Sequence, residues 1–309
     1  MAVTVAELTQ ADLAAATDVL AAACSHDRAA AVAAEKLFGA SPRGTPAAFG
    51  ARLGGILLGV GVACGDRIRL IAVHPAARNQ GLGSALLAAC ETAIWQTMAR
   101  RARTLDEPGN YLAPGIDETN HDAIAWLERR GYVRRDEHES LLVDVRTNPR
   151  VSQVRAAELA ARAAQRGYQI RRAEGDEAEV ISSAISIGFG GAWPHEVERA
   201  LAFDPPGLHV AMRDGRLAAF AAHDGNNQGL GWFGPSGTWP EHRNQGLGEA
   251  LLVACMVDIA QHHDVAEVAW IGPREFYERT VGTIGCRKFA VMTRDHPQRK
   301  STIPPPMGS

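Results

Sequence analysis

The hexapeptide RNQGLG occurs twice, at 78–83 and at 243–248, 165 residues apart. At that offset, residues 78–94 (RNQGLGSALLAACETAI) and 243–259 (RNQGLGEALLVACMVDI) agree at 12 of 17 positions. The matches run on through Leu86 and Leu251, Leu87 and Leu252, Cys90 and Cys255, and Ile94 and Ile259. Their spacing of i, i+1, i+4, i+8 is one face of an α-helix. The period is too long for a solenoid repeat, so a whole domain occurs twice. A chain of 309 residues has room for two domains. The pair Asn148-Pro149 turns the chain after the first copy. An Ala- and Arg-rich stretch then reads as a helix ending at Gly167. The expected organisation is a first domain over 1–148, a helical linker over 149–167 and a second domain over 168–309, with KSTIPPPMGS as a disordered tail.

Each half reads in the same order. A strand and a helix come first, then a second helical stretch, then strands, then the glycine turn and its helix. In the second half a strand (VAEVAWIG), a short helix (REFYERTV) and a last strand (CRKFAVMTR) follow. Strands interleaved with helices predict an α/β fold with a mixed sheet, built twice.

Composition narrows the function. Net charge is −3, from 32 basic and 35 acidic residues, which argues against binding nucleic acid through a basic face. Apolar residues make up 46%, enough for a core, and no apolar run approaches the ~18 residues of a membrane span. The five cysteines are scattered, with no CxxC pair, so neither a disulfide framework nor a metal site is expected. The N-terminus lacks the cationic start of a secretory signal, and the expected location is cytoplasmic.

A glycine turn between a strand and a helix binds phosphate well. Gly81, Gly83, Gly246 and Gly248 let the backbone approach a ligand, and the helix start offers unpaired N–H groups. Arg78 and Arg243 stand at the rim, where a guanidinium pairs with phosphate oxygens. Two other phosphate loops are excluded. The turns end in Gly-Ser-Ala and Gly-Glu-Ala, not G-K-[ST], and leucines (Leu86, Leu251) replace the third glycine of a dinucleotide fingerprint.

R-x-x-G-x-G, entered from a strand and opening an amphipathic helix, resembles the acetyl-CoA signature of the GNAT superfamily of N-acetyltransferases, here in two tandem copies. The resemblance implies that the turn amides hold the pyrophosphate of acetyl-CoA, at Arg78, Asn79, Gln80, Gly81, Leu82, Gly83 and Ser84 in the first copy. In the second copy they are Arg243, Asn244, Gln245, Gly246, Leu247, Gly248 and Glu249. It implies a bulge in the preceding strand, near 71–74 and 236–239. There Ile71, Ala72 and Val73, and Ser236, Gly237 and Thr238, line the pantetheine arm in a V-shaped cleft.

In this family a tyrosine in the short helix before the last strand often protonates the departing thiolate. Tyr277 takes that place in the second copy, one residue from the usual spacing, and Leu127 takes it in the first. The second copy is therefore read as catalytic and the first as non-catalytic, either binding acetyl-CoA or serving as scaffold only. His223 and Asp224 are the candidate base, through water, with an exposed strand end as the other reading. Glu196 either holds a cationic amine or belongs to a wet helix face, and Trp193 either floors an acceptor pocket or packs in the core. The expected reaction is acetyl transfer to a primary amine of a small molecule such as an amino sugar, by a monomer or homodimer. The alternatives are an acyl-CoA sensor without turnover and a mycothiol-synthase-like tandem enzyme.

Overall fold

The computed structural model describes residues 2–298, so the tail KSTIPPPMGS lies outside the described residues. The chain forms two compact units. The first takes the residues up to His138 together with those from Lys288 onward, and the second takes Glu139–Arg287.

The first unit begins with β1 (Val3–Glu7), α1 (Leu13–Ala23) and α2 (Ala33–Phe38), then a meander of β2 (Ala47–Leu53), β3 (Ile56–Cys64) and β4 (Arg67–Val73). The glycine turn follows, then α3 (Leu82–Gln96), β5 (Arg101–Thr104), β6 (Ile116–Asp117), α4 (His121–Glu128) and β7 (Val133–Asp144), which runs on into the second unit. The second unit repeats the plan. After α5 (Gln153–Ala164) come β8 (Gln169–Arg172), α6 (Ala178–Gly188), α7 (Trp193–Leu201), β9 (Leu208–Arg213), β10 (Arg216–His223) and β11 (Trp232–Thr238). The second turn leads to α8 (Leu247–Ile259), β12 (Val265–Val268), α9 (Arg274–Thr280) and β13 (Gly285–Asp295).

The strand order in the first unit is β1-β2-β3-β4-β5-β13, with β6 also on β13. In the second it is β7-β12-β11-β10-β9-β8. Each sheet is mixed. In the first, β4 and β5 run parallel, and the other neighbours in that order are antiparallel. In the second, β11 and β12 run parallel, and the other neighbours are again antiparallel. The last strand thus departs from the sequence expectation. CRKFAVMTR does not close the second copy; its residues from Lys288 onward pair with Arg101–Arg103 and with β6 in the first unit. The second unit is closed instead by Leu141–Asp144 of β7 against β12. The domain limits at 148 and 168 shift accordingly, and the linker helix belongs to the second unit.

That helix explains where the two copies differ. On α3 the buried residues are Leu82, Leu86, Leu87, Cys90 and Ile94, one stripe against the sheet. On α8, Val253, Met256 and Val257 are buried as well. They stand where α3 has Ala88, Glu91 and Thr92. Leu159 and Ala163 of α5 join the same core as α8, covering the face that α3 leaves uncovered.

Candidate active site

Both turns have one backbone path. After β4 and β11 a single 3-10 turn (Pro75–Ala77, Pro240–His242) leads to the arginine, then to an asparagine with φ 63° at Asn79 and 61° at Asn244. Asparagine tolerates this left-handed region better than most residues. Gly81 (φ 90°) and Gly246 (φ 80°) then cap the helices. The first helical bonds run from Ala85 N–H to the Gly81 carbonyl (3.0 Å) and from Ala250 N–H to the Gly246 carbonyl (3.2 Å). The amides of residues 82–84 and 247–249 precede them, so no earlier turn of helix can satisfy them. Leu82 and Leu247 are buried and anchor each turn, while Arg78 and Arg243 are exposed at the rim. The second glycine of each turn lies beneath an aromatic ring. A Cβ at Gly83 would be 3.4 Å from Trp126, and one at Gly248 would be 3.5 Å from Phe276.

The strands entering the turns split from their parallel neighbours. β4 pairs with β5 only at Arg67↔Arg103 and Ile68↔Thr104, then continues to Val73. β11 pairs with β12 only at Trp232↔Glu267 and Phe233↔Val268, then continues to Thr238. On the other edge each stays paired to its end, with β3 and with β10. Past those pairs each unit has a gap in its ladder, and Ile71–Val73 and Ser236–Thr238 border it. The bulges fall earlier than 71–74 and 236–239. Arg69 is the extra residue between Val62↔Leu70 and Ala63↔Ile68. Gly234 and Pro235 face Ala222 alone between Ala221↔Ser236 and His223↔Phe233. A bulge re-aims the strand beyond it, and proline is tolerated there because no ladder donor is needed.

Tyr277 on α9 is buried, with its ring 6.4 Å from Phe233 and 5.1 Å from Phe276. Burial pushes the phenol pKa up, and the Ser236 side chain partly offsets this. The hydroxyl therefore keeps its proton at neutral pH. In the first unit Leu127 replaces Tyr277 and, at the 165-residue offset, Ile71 replaces Ser236. Both pack in one apolar cluster, so two hydroxyl-bearing residues of the second unit are hydrocarbon in the first.

His223 ends β10 as expected, but the side chains of His223 and Asp224 are not exposed there. His223 Nδ1 is 2.8 Å from Asp224 Oδ2, and Nε2 is 3.4 Å from Asp258 Oδ2. Asp258 also meets His209 Nε2 at 2.6 Å and accepts from Arg172 Nη2 at 2.7 Å. Burial opposes the His223 charge, but Asp224 and Asp258 outweigh it and raise its pKa. Burial likewise opposes ionised Asp258, yet the hydrogen bond from His209, the nearby His223 imidazole and the Arg172 charge hold it well below the usual carboxylate range. With a carboxylate near each nitrogen, His223 is an ion-pair partner in this network. Asp258 lies in the last turn of α8, about 16 Å along the helix from Leu247 at ~1.5 Å per residue. His223 also pairs with Phe233, where β11 and β12 are still joined.

Trp193 stacks on Phe189 (5.3 Å) and lies 6.0 Å from Phe220, within a cluster that includes Trp239. Glu196 is buried, not on a wet helix face, and its backbone carbonyl lies under Gly225. Cys90 and Cys255 are buried and their thiol pKa values are pushed up by desolvation. Among the described residues no three His, Cys, Asp or Glu side chains gather as a metal site.

Sequence reasoning missed the residues beside the helix starts. Arg130 Nη2 donates to Ser84 Oγ (2.8 Å), with its guanidinium 4.1 Å over the Trp126 ring. In the second unit Arg155 of α5 donates to Glu249 (2.8 Å), and Arg166 donates to the Gln245 carbonyl (2.6 Å). Asp258 had a signal: it stands where the first copy has Ala93, a charge in an otherwise matched helix.

Residues 46–134 match the acetyltransferase (GNAT) domain model, and residues 178–283 match the acetyltransferase (GNAT) family model. The chain belongs to the GNAT acetyltransferase superfamily, as a tandem pair of its domains. Among solved structures it resembles a GNAT-related N-acetyltransferase from Sphaerobacter thermophilus, with TM-score 0.65 and 16% identity over 95% of each chain. It also resembles a tandem GNAT protein from the clavulanic acid biosynthesis pathway, with TM-score 0.67 and 16% identity over 95% of this chain and 98% of that one. A third likeness is the glucosamine N-acetyltransferase region of a fungal multi-domain β-N-acetylglucosaminidase, with TM-score 0.73 and 17% identity. There the match covers 95% of this chain but only 38% of the fungal one. No curated protein matches the sequence. No helix among the described residues is long and apolar enough to cross a membrane.

Proposed function

We propose that this chain transfers an acetyl group from acetyl-CoA to a primary amine of a small molecule, and that the second unit does the chemistry. The turns fit the nucleotide. Their left-handed glycines aim helix-start amides outward, and a Cβ at Gly81 would meet nothing within 4 Å. The amides of 82–84 and 247–249 hold the diphosphate, with Arg78 and Arg243 at the rim. The edges of Ile71–Val73 and Ser236–Thr238 offer main-chain groups to the pantetheine arm. Acetyl-CoA supplies an activated thioester, and Tyr277 holds the proton that a departing thiolate needs.

One observation carries the assignment to the second unit: a buried tyrosine, Tyr277, packs on Phe233 of β11, the strand that borders the gap, where the first unit has Leu127. His223 and Asp224 are assigned to the Asp258 network in this reading, and not to the base. Trp193 and Glu196 shape α7 on the other side of the sheet from α8 and act on an acceptor only through that packing. The fungal neighbour acts on glucosamine, so amino sugars lead the list of acceptors to try.

The test is free-thiol release from acetyl-CoA across amino sugars, polyamines, aminoglycosides and peptide N-termini. Acetylation of one class, with most of kcat lost in Tyr277→Phe, supports the proposal. Binding of acetyl-CoA with no amine acetylated favours the acyl-CoA sensor, a reading that Leu127 already suits in the first unit.

A further inference from the structure

The two units carry the same bulge and fill it differently. Arg69 is the first residue of β4 beyond its pairing with β5. It is wholly buried and forks onto Glu107, with Nε to Oε2 at 2.6 Å and Nη2 to Oε1 at 2.8 Å. Its Nη1 donates to the carbonyls of Lys36 (3.1 Å) and Gly39 (2.8 Å). Glu107 follows β5 in the chain, so this pair spans the two strands where they begin to part. Around it, buried Lys36 reaches Glu35 (2.6 Å) and Asn110 (2.9 Å), and the Asn110 amide ties to the carbonyls of Glu35 and Gly39.

Counted from the matching pairs Ile68↔Thr104 and Phe233↔Val268, the corresponding residues of the second unit are Gly234 and Ile271. A Cβ at Gly234 would meet no atom within 4 Å. Where the first unit has a bidentate ion pair, the second has open space. A fully buried pair gives little net stability compared with well-packed hydrocarbon, so core-filling alone does not account for it. The phosphate end of the first unit is meanwhile intact, with its turn, Ser84 and the pinned Arg130.

We infer that the Arg69–Glu107 bridge closes the first unit to an acyl acceptor, so that this unit holds acetyl-CoA without passing on its acetyl group, while the second unit opens over Gly234 to an amine. This rests on the proposal that both turns hold acetyl-CoA. Acyl transfer needs a nucleophile on one face of the thioester carbonyl. A C–N bond forms, the C–S bond breaks, the nitrogen loses a proton and the thiolate gains one. The bridge occupies the approach to the parted strands, and removing it means stripping two buried charges of their partners.

Hydroxylamine tests the inference without knowledge of the natural acceptor. Its neutral nitrogen attacks a thioester to give acetohydroxamate and free CoA thiol, which can be counted. Calorimetry on the full chain is expected to give two acetyl-CoA per chain. After free ligand is removed, one bound thioester is expected to react at least tenfold more slowly than free acetyl-CoA. Arg69→Gly with Glu107→Ile, which copies Gly234 and Ile271 of the second unit, is expected to abolish that protection. Should that variant not fold, Glu107→Asp, which breaks the fork with a smaller change, is expected to weaken it. Two unprotected thioesters, or protection unchanged in a folded bridge variant, overturn the inference. One acetyl-CoA per chain also overturns it and leaves the transferase reading standing. No binding at all sinks both.

Discussion

Replacing Asp258 by Asn should loosen the second unit, and its size follows from the contacts. Asp258 receives His209 and Arg172, faces His223, and sits at the negative end of the α8 dipole, where only cations are favourable. Removing one partner of a buried ion pair costs ~3–5 kcal/mol. Arg172 is 29% exposed and regains water, which selects the low end, about 3 kcal/mol. Domains of this size lose ~2–4 °C per kcal/mol, giving a fall of roughly 6–12 °C in Tm. The pH dependence gives a second signature. His223 has a raised pKa in the folded state, so its contribution is full below ~6.5 and is lost as pH rises through the folded value. Asp258 is lowered, so its contribution is present above ~3.9 and is lost as pH falls below that toward the folded value. Thermal melts from pH 5 to 9 should show wild type losing stability above pH 6.5, and Asp258→Asn showing a flatter profile. Asp264→Asn is the control, because its ion pair with Arg146 is exposed on both sides. A Tm for Asp258→Asn within about 2 °C of wild type, with an unchanged pH profile, refutes the reasoning.

Other outcomes follow from single contacts. Tyr277→Phe should lower kcat ~100-fold or more while acetyl-CoA affinity, read by calorimetry, stays within a few-fold of wild type. Gly237→Ala should destabilise by ~1–3 kcal/mol in urea melts, because its Cβ would lie 2.7 Å from Phe189 and 2.9 Å from Phe220. Cys90 and Cys255 should resist a thiol reagent in native buffer and react only after denaturation, since both are buried with raised thiol pKa values.

The turn and its helix were legible because they rest on local rules. Glycine at positive φ and an apolar stripe both show in a short window. The 165-residue offset even carries Arg69 onto Gly234 across the bulge. The exchange of closing strands was not legible. A strand's alternation tells which face is buried but not which edge it joins, and β13 reads the same whichever sheet receives it. The Arg69–Glu107 bridge joins residues 38 apart, and nothing in RIRLIAV marks its second arginine as buried. His223 next to Asp224 read as a possible base because the third partner, Asp258, lies on another element.

A crystal structure of the chain with acetyl-CoA tests the central claim most directly. The diphosphate is expected within hydrogen-bond reach of the amides of Leu247, Gly248 and Glu249, and the sulfur beside the Tyr277 hydroxyl. A diphosphate bound away from that helix start, or a sulfur out of reach of Tyr277, contradicts the claim.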